Sequence, residues 1–269
     1  MGFFEALDAR IGAADSVVSV GLDPDPSRLP SFLDAELPRW AFNRRVIDAT
    51  HEHAACYKPN AAFYEDPDGW RALAETVAYA HGKGVPVLLD AKRGDIGNTA
   101  RQYATALDPA GLDADAITVN PYMGRDTLEP YLSRSGKGVF VLCRTSNSGG
   151  ADFQNLDVGN DKPLYQYVAE RCAAWDEHDN VGLVVGATAP EELERLRDAV
   201  DRPFLVPGVG AQGGDAEAAV AYGLADGVGL VNSSRGIIFA GEGADDEGAY
   251  FRAVGDAAKK LKRRLNEFR

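Results

Sequence analysis

The apolar run that opens VPVLLDAKRGDIGNT, residues 85–99, ends in Asp90, Lys92 and Asp95. A strand hydrophobic enough to be buried on both faces has no packing reason to finish on charge. Asp90 and Lys92 stand two residues apart, so in regular β structure they project to the same side and meet. Asp95 follows Gly94 at the turn into a helix, where it could reach back to that cluster, reach out to a partner subunit, or simply cap the helix. Lys58 interrupts a second apolar run, AACYKPNAAFY. Burying charges costs several kcal/mol per ion, so a cluster of them is poor evidence for stability and better evidence for chemistry. Opposite charges about 4 Å apart attract by roughly 4 kcal/mol at an effective dielectric near 20, and alternating signs would keep Lys58, Asp90, Lys92 and Asp95 all ionised.

A second constellation pairs PGVGAQGGD (207–215) with NSSRG (232–236). Residues 208–213 match G-x-G-x-x-G, but a dinucleotide fingerprint belongs to the first βα turn, and this one follows the seventh apolar run. Glycine-rich loops after the last two strands of a barrel are instead suited to phosphate, through backbone N–H groups and a helix N-terminus. Gln212 and Arg235 would grip the dianion there.

The elements that must position these groups can be read from periodicity. Eight β-branched apolar runs fall at 16–23, 54–64, 85–93, 116–121, 138–145, 180–188, 203–210 and 227–236, separated by amphipathic helical stretches such as PRWAFNRRVIDATHEH and PEELERLRDAV. This is an α/β chain, a (β/α)8 TIM barrel forming a single domain over residues 1–269. Reactive side chains in that architecture come from the C-terminal ends of strands, and Asp23, Lys58, Asp90, Lys92, Asn120, Arg144 and Thr145 all fall there. One connection is long: about 145–163, rich in Gly, Asn, Ser and Asp, reads as an active-site lid.

With both constellations assembled, the sequence resembles the orotidine 5′-phosphate decarboxylase family, whose reaction is the last step of uridine monophosphate synthesis. The likeness spans nearly the whole chain and is carried by DAKRGDIGNTA (90–100), YKPNAAFYE (57–65), TSNSGGADFQ (145–154) and PGVGAQGG (207–214). It implies a homodimer with active sites at the interface, a small nucleotide substrate, and no cofactor or metal. By the same likeness Lys92 is the proton donor within a network of Lys58, Asp90, Lys92 and Asp95, the last contributed by the neighbouring subunit. Asp23 and Lys58 contact ribose, Thr99 reaches across the dimer, Ser146 touches the pyrimidine, and Pro207, Gln212 and Arg235 line the phosphate site. TSNSGG offers other hydroxyls and an amide that could replace Ser146. Two alternatives stand beside this reading. Magnesium-dependent sugar-phosphate lyases of the same suprafamily (hexulose-phosphate synthase, ketogulonate-phosphate decarboxylase) look similar at strand three but tend to carry an acid where Lys58 stands. A non-catalytic nucleotide-binding barrel would have no need of Lys92 between two carboxylates.

Composition bounds the partners. The formal charge of −13 leaves no basic stripe for nucleic acid. No apolar run approaches the roughly 20 residues that span a bilayer, and MGFFEALDAR lacks the basic and apolar regions of a signal peptide. Three cysteines without C-x-x-C spacing argue against a disulfide framework and for a cytoplasmic location. His51, His53 and His81 fall near helix ends, as structural rather than metal-ligating residues. Acidic residues outnumber basic ones 41 to 28, which suits a surface solvated in high salt, where repulsion is screened. The chain should therefore lose stability as salt is withdrawn, which circular dichroism along a KCl dilution series would reveal; a fold and solubility unchanged at low ionic strength would contradict it.

Overall fold

The computed structural model describes residues 1–33, 36–186, 189–209 and 215–269. Eight parallel strands form one sheet: β1 Val18–Leu22, β2 Cys56–Pro59, β3 Leu88–Arg93, β4 Ala116–Val119, β5 Gly138–Arg144, β6 Val181–Val185, β7 Phe204–Pro207 and β8 Leu230–Ser233. Their order, β2-β1-β8-β7-β6-β5-β4-β3, places neighbours in sequence side by side and brings β8 back to β1. The remaining junction, β2 with β3, is closed by two isolated bridges, Tyr57 to Val87 and Asn60 to Asp90. The result is the expected barrel, with helices between the strands.

Strand bodies are mostly apolar because both faces are covered: β1, β2, β4 and β6 are buried at every position, Ser19, Lys58 and Thr118 included. The strands are shorter than the apolar runs that signalled them. Lys58 and Pro59 end β2, and Ala61–Phe63 forms a 3-10 turn instead of continuing it. Some helices start where an aspartate accepts their free N–H groups. Asp66 accepts from Gly69 N at 2.7 Å ahead of Pro67–Gly82, and Asp246 accepts from Ala249 N at 2.7 Å ahead of Glu247–Asn266. Among the described residues no helix is long and apolar enough to cross a membrane, and Cys56, Cys143 and Cys172 are free and buried.

Inside the barrel, Phe140 of β5 lies opposite Gly182 of β6. A Cβ on Gly182 would sit 2.7 Å from the Phe140 ring, so the glycine is what admits the aromatic side chain. The helix Phe3–Ala14 adds Phe3 and Phe4, whose rings meet Phe140 edge-on at 6.1 and 5.6 Å. Phe140→Ala should cost about 3–5 kcal/mol, the usual loss for emptying a fully buried aromatic site. Urea unfolding at constant salt would read it; a loss below about 1 kcal/mol would mean that the site collapses around the gap.

Candidate active site

The charges gather at the C-terminal mouth of the barrel, at the β2–β3 junction. Lys58 Nζ lies 2.8 Å from Asp90 Oδ2, and Lys92 Nζ lies 2.5 Å from Asp90 Oδ1. Lys58 and Asp90 are buried, their side chains 6% and 9% exposed, whereas the Lys92 side chain is 46% exposed and open to a ligand. Asp23, at the end of β1, accepts from Asn60 N at 3.2 Å and adds negative charge near Lys58. Burial opposes the ammonium of Lys58, but Asp90 and Asp23 outweigh it and hold its pKa above the usual lysine value. Burial likewise opposes the Asp90 carboxylate, and Lys58 and Lys92 together hold its pKa well below the usual range. Both groups are ionised at neutral pH.

The meeting of Asp90 and Lys92 does not come from regular strand alternation. The register with β4 jumps from Leu89 opposite Ile117 to Arg93 opposite Val119, so β3 is bulged over Asp90, Ala91 and Lys92. Lys92 adopts a left-handed backbone with φ of 48°, rare for a residue with a side chain. The two side chains meet because the bulge turns Lys92 back over Asp90, and not because residues two apart share a face. Thr118, the single β4 residue opposite the bulge, donates to Asp90 Oδ1 at 2.9 Å and accepts from Lys92 N at 2.9 Å. Sequence reasoning passed over Thr118, whose only signal was a hydroxyl within the apolar strand AITV.

Asp95 does not cap the following helix. Gly97–Ala104 begins after Ile96, and Asp95 Oδ1 instead accepts from Ile96 N at 2.8 Å. It makes no ion pair among the described residues, so within one chain three of the four charges are joined and the fourth stands apart. Thr99 is exposed on the helix Gly97–Ala104.

The long connection after β5 is folded. Thr145 and Ser146 lead into short turns at Ser148–Gly150 and Ala151–Gln154, and a bridge joins Asp157 to Pro163. Gln154 ties the segment back to its own start. Its Oε1 accepts from Thr145 N at 2.9 Å and from Arg144 Nη1 at 3.2 Å, and its Nε2 donates to Thr145 Oγ1 at 2.9 Å. Arg144 also pairs with Glu192 at 2.7 Å. Ser146 packs against Gly186 at the end of β6, where a Cβ would approach its backbone to 2.9 Å.

Pro207 ends β7 directly opposite Asn232 of β8, whose Oδ1 accepts from Ser19 Oγ at 3.0 Å. Arg235 opens the short helix Arg235–Ile238, is exposed, and has no carboxylate partner among the described residues. Gln212 lies outside the described residues. The mouth therefore presents a charge chain at β2–β3 whose Lys58–Asp90 pair is buried, and at β8 a guanidinium without a carboxylate partner among the described residues, with the folded connection after β5 on the same rim. That is an arrangement for holding an anionic ligand at one end and stabilising developing negative charge at the other.

The family model described as orotidine 5′-phosphate decarboxylase / HUMPS matches residues 16–247. A relative from Natronomonas pharaonis, named orotidine 5′-phosphate decarboxylase, is 84% identical over 269 residues, covering 100% of both chains. One of the same name from Aromatoleum aromaticum is 47% identical over 98% of this chain and 99% of its own. The solved OMP decarboxylase of Leishmania donovani superposes with a TM-score of 0.83 at 43% identity, covering 100% of this chain and 99% of that one.

Asp90→Asn strands the buried Lys58 ammonium and should destabilise the chain by about 3–5 kcal/mol at neutral pH. Because the folded Asp90 pKa is depressed, its contribution is complete above the unfolded carboxylate value near 3.9 and is lost as pH falls below it. The stability gap between parent and variant should hold steady above about pH 5 and narrow below about pH 4. Chemical denaturation at stepped pH measures this, and a gap that widens on acidification would contradict the assignment.

Proposed function

The chain belongs to the orotidine 5′-phosphate decarboxylase / HUMPS family, and we propose that it converts orotidine 5′-phosphate to uridine 5′-phosphate and CO₂, with Lys92 delivering the proton to carbon 6. The observation that carries this reading is the Lys58–Asp90–Lys92 chain, which supplies an exposed ammonium held rigidly by a buried carboxylate. Loss of CO₂ leaves an electron pair on a vinylic carbon that the pyrimidine ring delocalises poorly. The site answers with a preorganised positive charge in place of a covalent adduct. Lys92 Nζ stabilises the carbanion as it forms and then transfers a proton to it, leaving a neutral amine beside Asp90. Asp90 fixes Lys92 and also faces the departing carboxylate; repulsion there is a smaller contribution than the stabilisation by Lys92.

The other assignments follow from the family likeness. Asp23 and Lys58 serve the ribose hydroxyls, a reading supported by their places at the ends of β1 and β2. Pro207, Gln212 and Arg235 take the phosphate, and Ser146 contacts the pyrimidine. Residues 145–163 act as a lid, anchored through Gln154 to Thr145, so that closure brings Ser146 over the base and excludes water. Phosphate contacts far from the bond that breaks would drive closure, so a substrate lacking phosphate should lose turnover as well as affinity.

The second subunit completes the site. Asp95 makes no ion pair among the described residues, and it sits beside exposed apolar side chains: Ile96 is 62% exposed, Tyr122 91% and Met123 44%. Gly94 packs against Asn120 and Met123, so these residues share one surface, which a second copy would cover while inserting Asp95 and Thr99 into its neighbour's mouth. The chemistry calls for neither metal nor cofactor, and Lys58 stands where the magnesium-dependent lyases of the suprafamily tend to carry an acid. The enzyme would operate in the cytoplasm.

Lys92→Ala should retain nucleotide binding and lose turnover by many orders of magnitude, followed as the ultraviolet change on loss of orotidine 5′-phosphate; near-normal turnover would refute the donor role. Treatment with EDTA should leave the rate unchanged, whereas a metal-dependent lyase would stop. Mixing inactive Lys92→Ala and Asp95→Ala dimers should restore about a quarter of parental activity, since random exchange makes half the dimers mixed and each holds one intact site. No recovery after verified subunit exchange would mean that Asp95 serves its own subunit.

A further inference from the structure

Asp90, Ala91 and Lys92 of β3 are matched by a single β4 residue, Thr118, because the register moves four residues along β3 and only two along β4. The bulge removes Lys92 from the regular ladder and gives it a φ of 48°, a left-handed conformation disfavoured for a residue with a Cβ. Something must hold it there. The Lys92 N–H can only donate, and it donates to Thr118 Oγ1 at 2.9 Å. The single hydroxyl proton of Thr118 is thereby free to go to Asp90 Oδ1, also at 2.9 Å. Thr118 itself is 1% exposed. One buried hydroxyl thus links the backbone of the bulge to the carboxylate that grips the Lys92 ammonium.

From this geometry we infer that Thr118 is a positioning residue for the decarboxylation, fixing the Lys92 bulge and the Asp90 carboxylate relative to each other; the inference rests on the function proposed above. Thr118 touches no reacting atom. Its effect runs through the placement of Lys92 Nζ, which must lie over one carbon atom. Displacing a catalytic group by about 1 Å can cost 10²-fold in rate. Without the hydroxyl, the Lys92 N–H has no acceptor and Asp90 Oδ1 keeps only the ammonium, so bulge and carboxylate move independently. Valine fills the same volume and is equally at home in a strand, so Thr118→Val removes the link while leaving the packing nearly intact. Serine keeps the hydroxyl and loses only a methyl group.

The test is steady-state decarboxylation of orotidine 5′-phosphate by the full chain and its variants, with uridine 5′-phosphate affinity measured separately by calorimetry. Thr118→Val should lower kcat by about 10²-fold with nucleotide affinity within about threefold of the parent, and Thr118→Ser should recover to within about fivefold. An active parent with an equally active Thr118→Val overturns the inference alone. So does a Thr118→Ser variant as impaired as Thr118→Val, which would make volume the requirement, or a loss confined to KM. Should Thr118→Val fail to fold, Thr118→Cys carries the test, because its weak thiol donor and acceptor should leave kcat reduced by about tenfold or more; unimpaired turnover there overturns the inference equally. A parent chain inert toward orotidine 5′-phosphate sinks the functional reading, and this inference with it.

Discussion

A single buried carboxylate organises the mouth of this barrel. Asp90 has donors from three directions, Lys58 at 2.8 Å, Lys92 at 2.5 Å and Thr118 at 2.9 Å, each from or beside a different strand. Desolvation works against its charge, and only the two ammonium groups make ionisation favourable. The same dependence holds in reverse for Lys58, which burial would neutralise but for Asp90 and Asp23. Each charge is therefore tolerable because of the others. A set with that property keeps its geometry as long as it remains complete, which is what a site needs if it is to meet transient charge without reorganising.

The scaffold was legible because its signals are redundant. Eight apolar runs separated by amphipathic helices leave few alternatives to a closed parallel sheet, and short errors at strand ends do not change the count. The bound on β2 was overrun because AAFY resumes the apolar pattern while the backbone turns, and hydrophobicity does not report a 3-10 turn.

The site was legible in composition and only partly in geometry. Lys58, Asp90 and Lys92 stand out as charges where packing wants none. The bulge does not, since nothing in LLDAKR distinguishes a left-handed lysine from an extended one; the jump in register depends on how β3 lies against β4. Thr118 was invisible for a related reason. A β-branched residue within AITV satisfies every requirement of a strand, and its hydroxyl matters only once the bulge exists. Of the roles open to Asp95 in sequence, capping is the one it leaves undone, and the helix begins one residue later. The long polar segment after β5 reads as structureless by composition, yet Gln154 folds it back with three hydrogen bonds that no local pattern announces.

The junction between β2 and β3 has its own consequence. Seven of the strand contacts are hydrogen-bonded ladders, but this one rests on the isolated bridges Tyr57–Val87 and Asn60–Asp90. Lys58 and Asp90 face each other across it, so electrostatic attraction takes over where main-chain pairing is sparse. Chemistry and closure of the cylinder then share one rivet. Whatever loosens that seam therefore disturbs the Lys58–Asp90 pair with it, and the integrity of the wall and the geometry of the mouth are coupled.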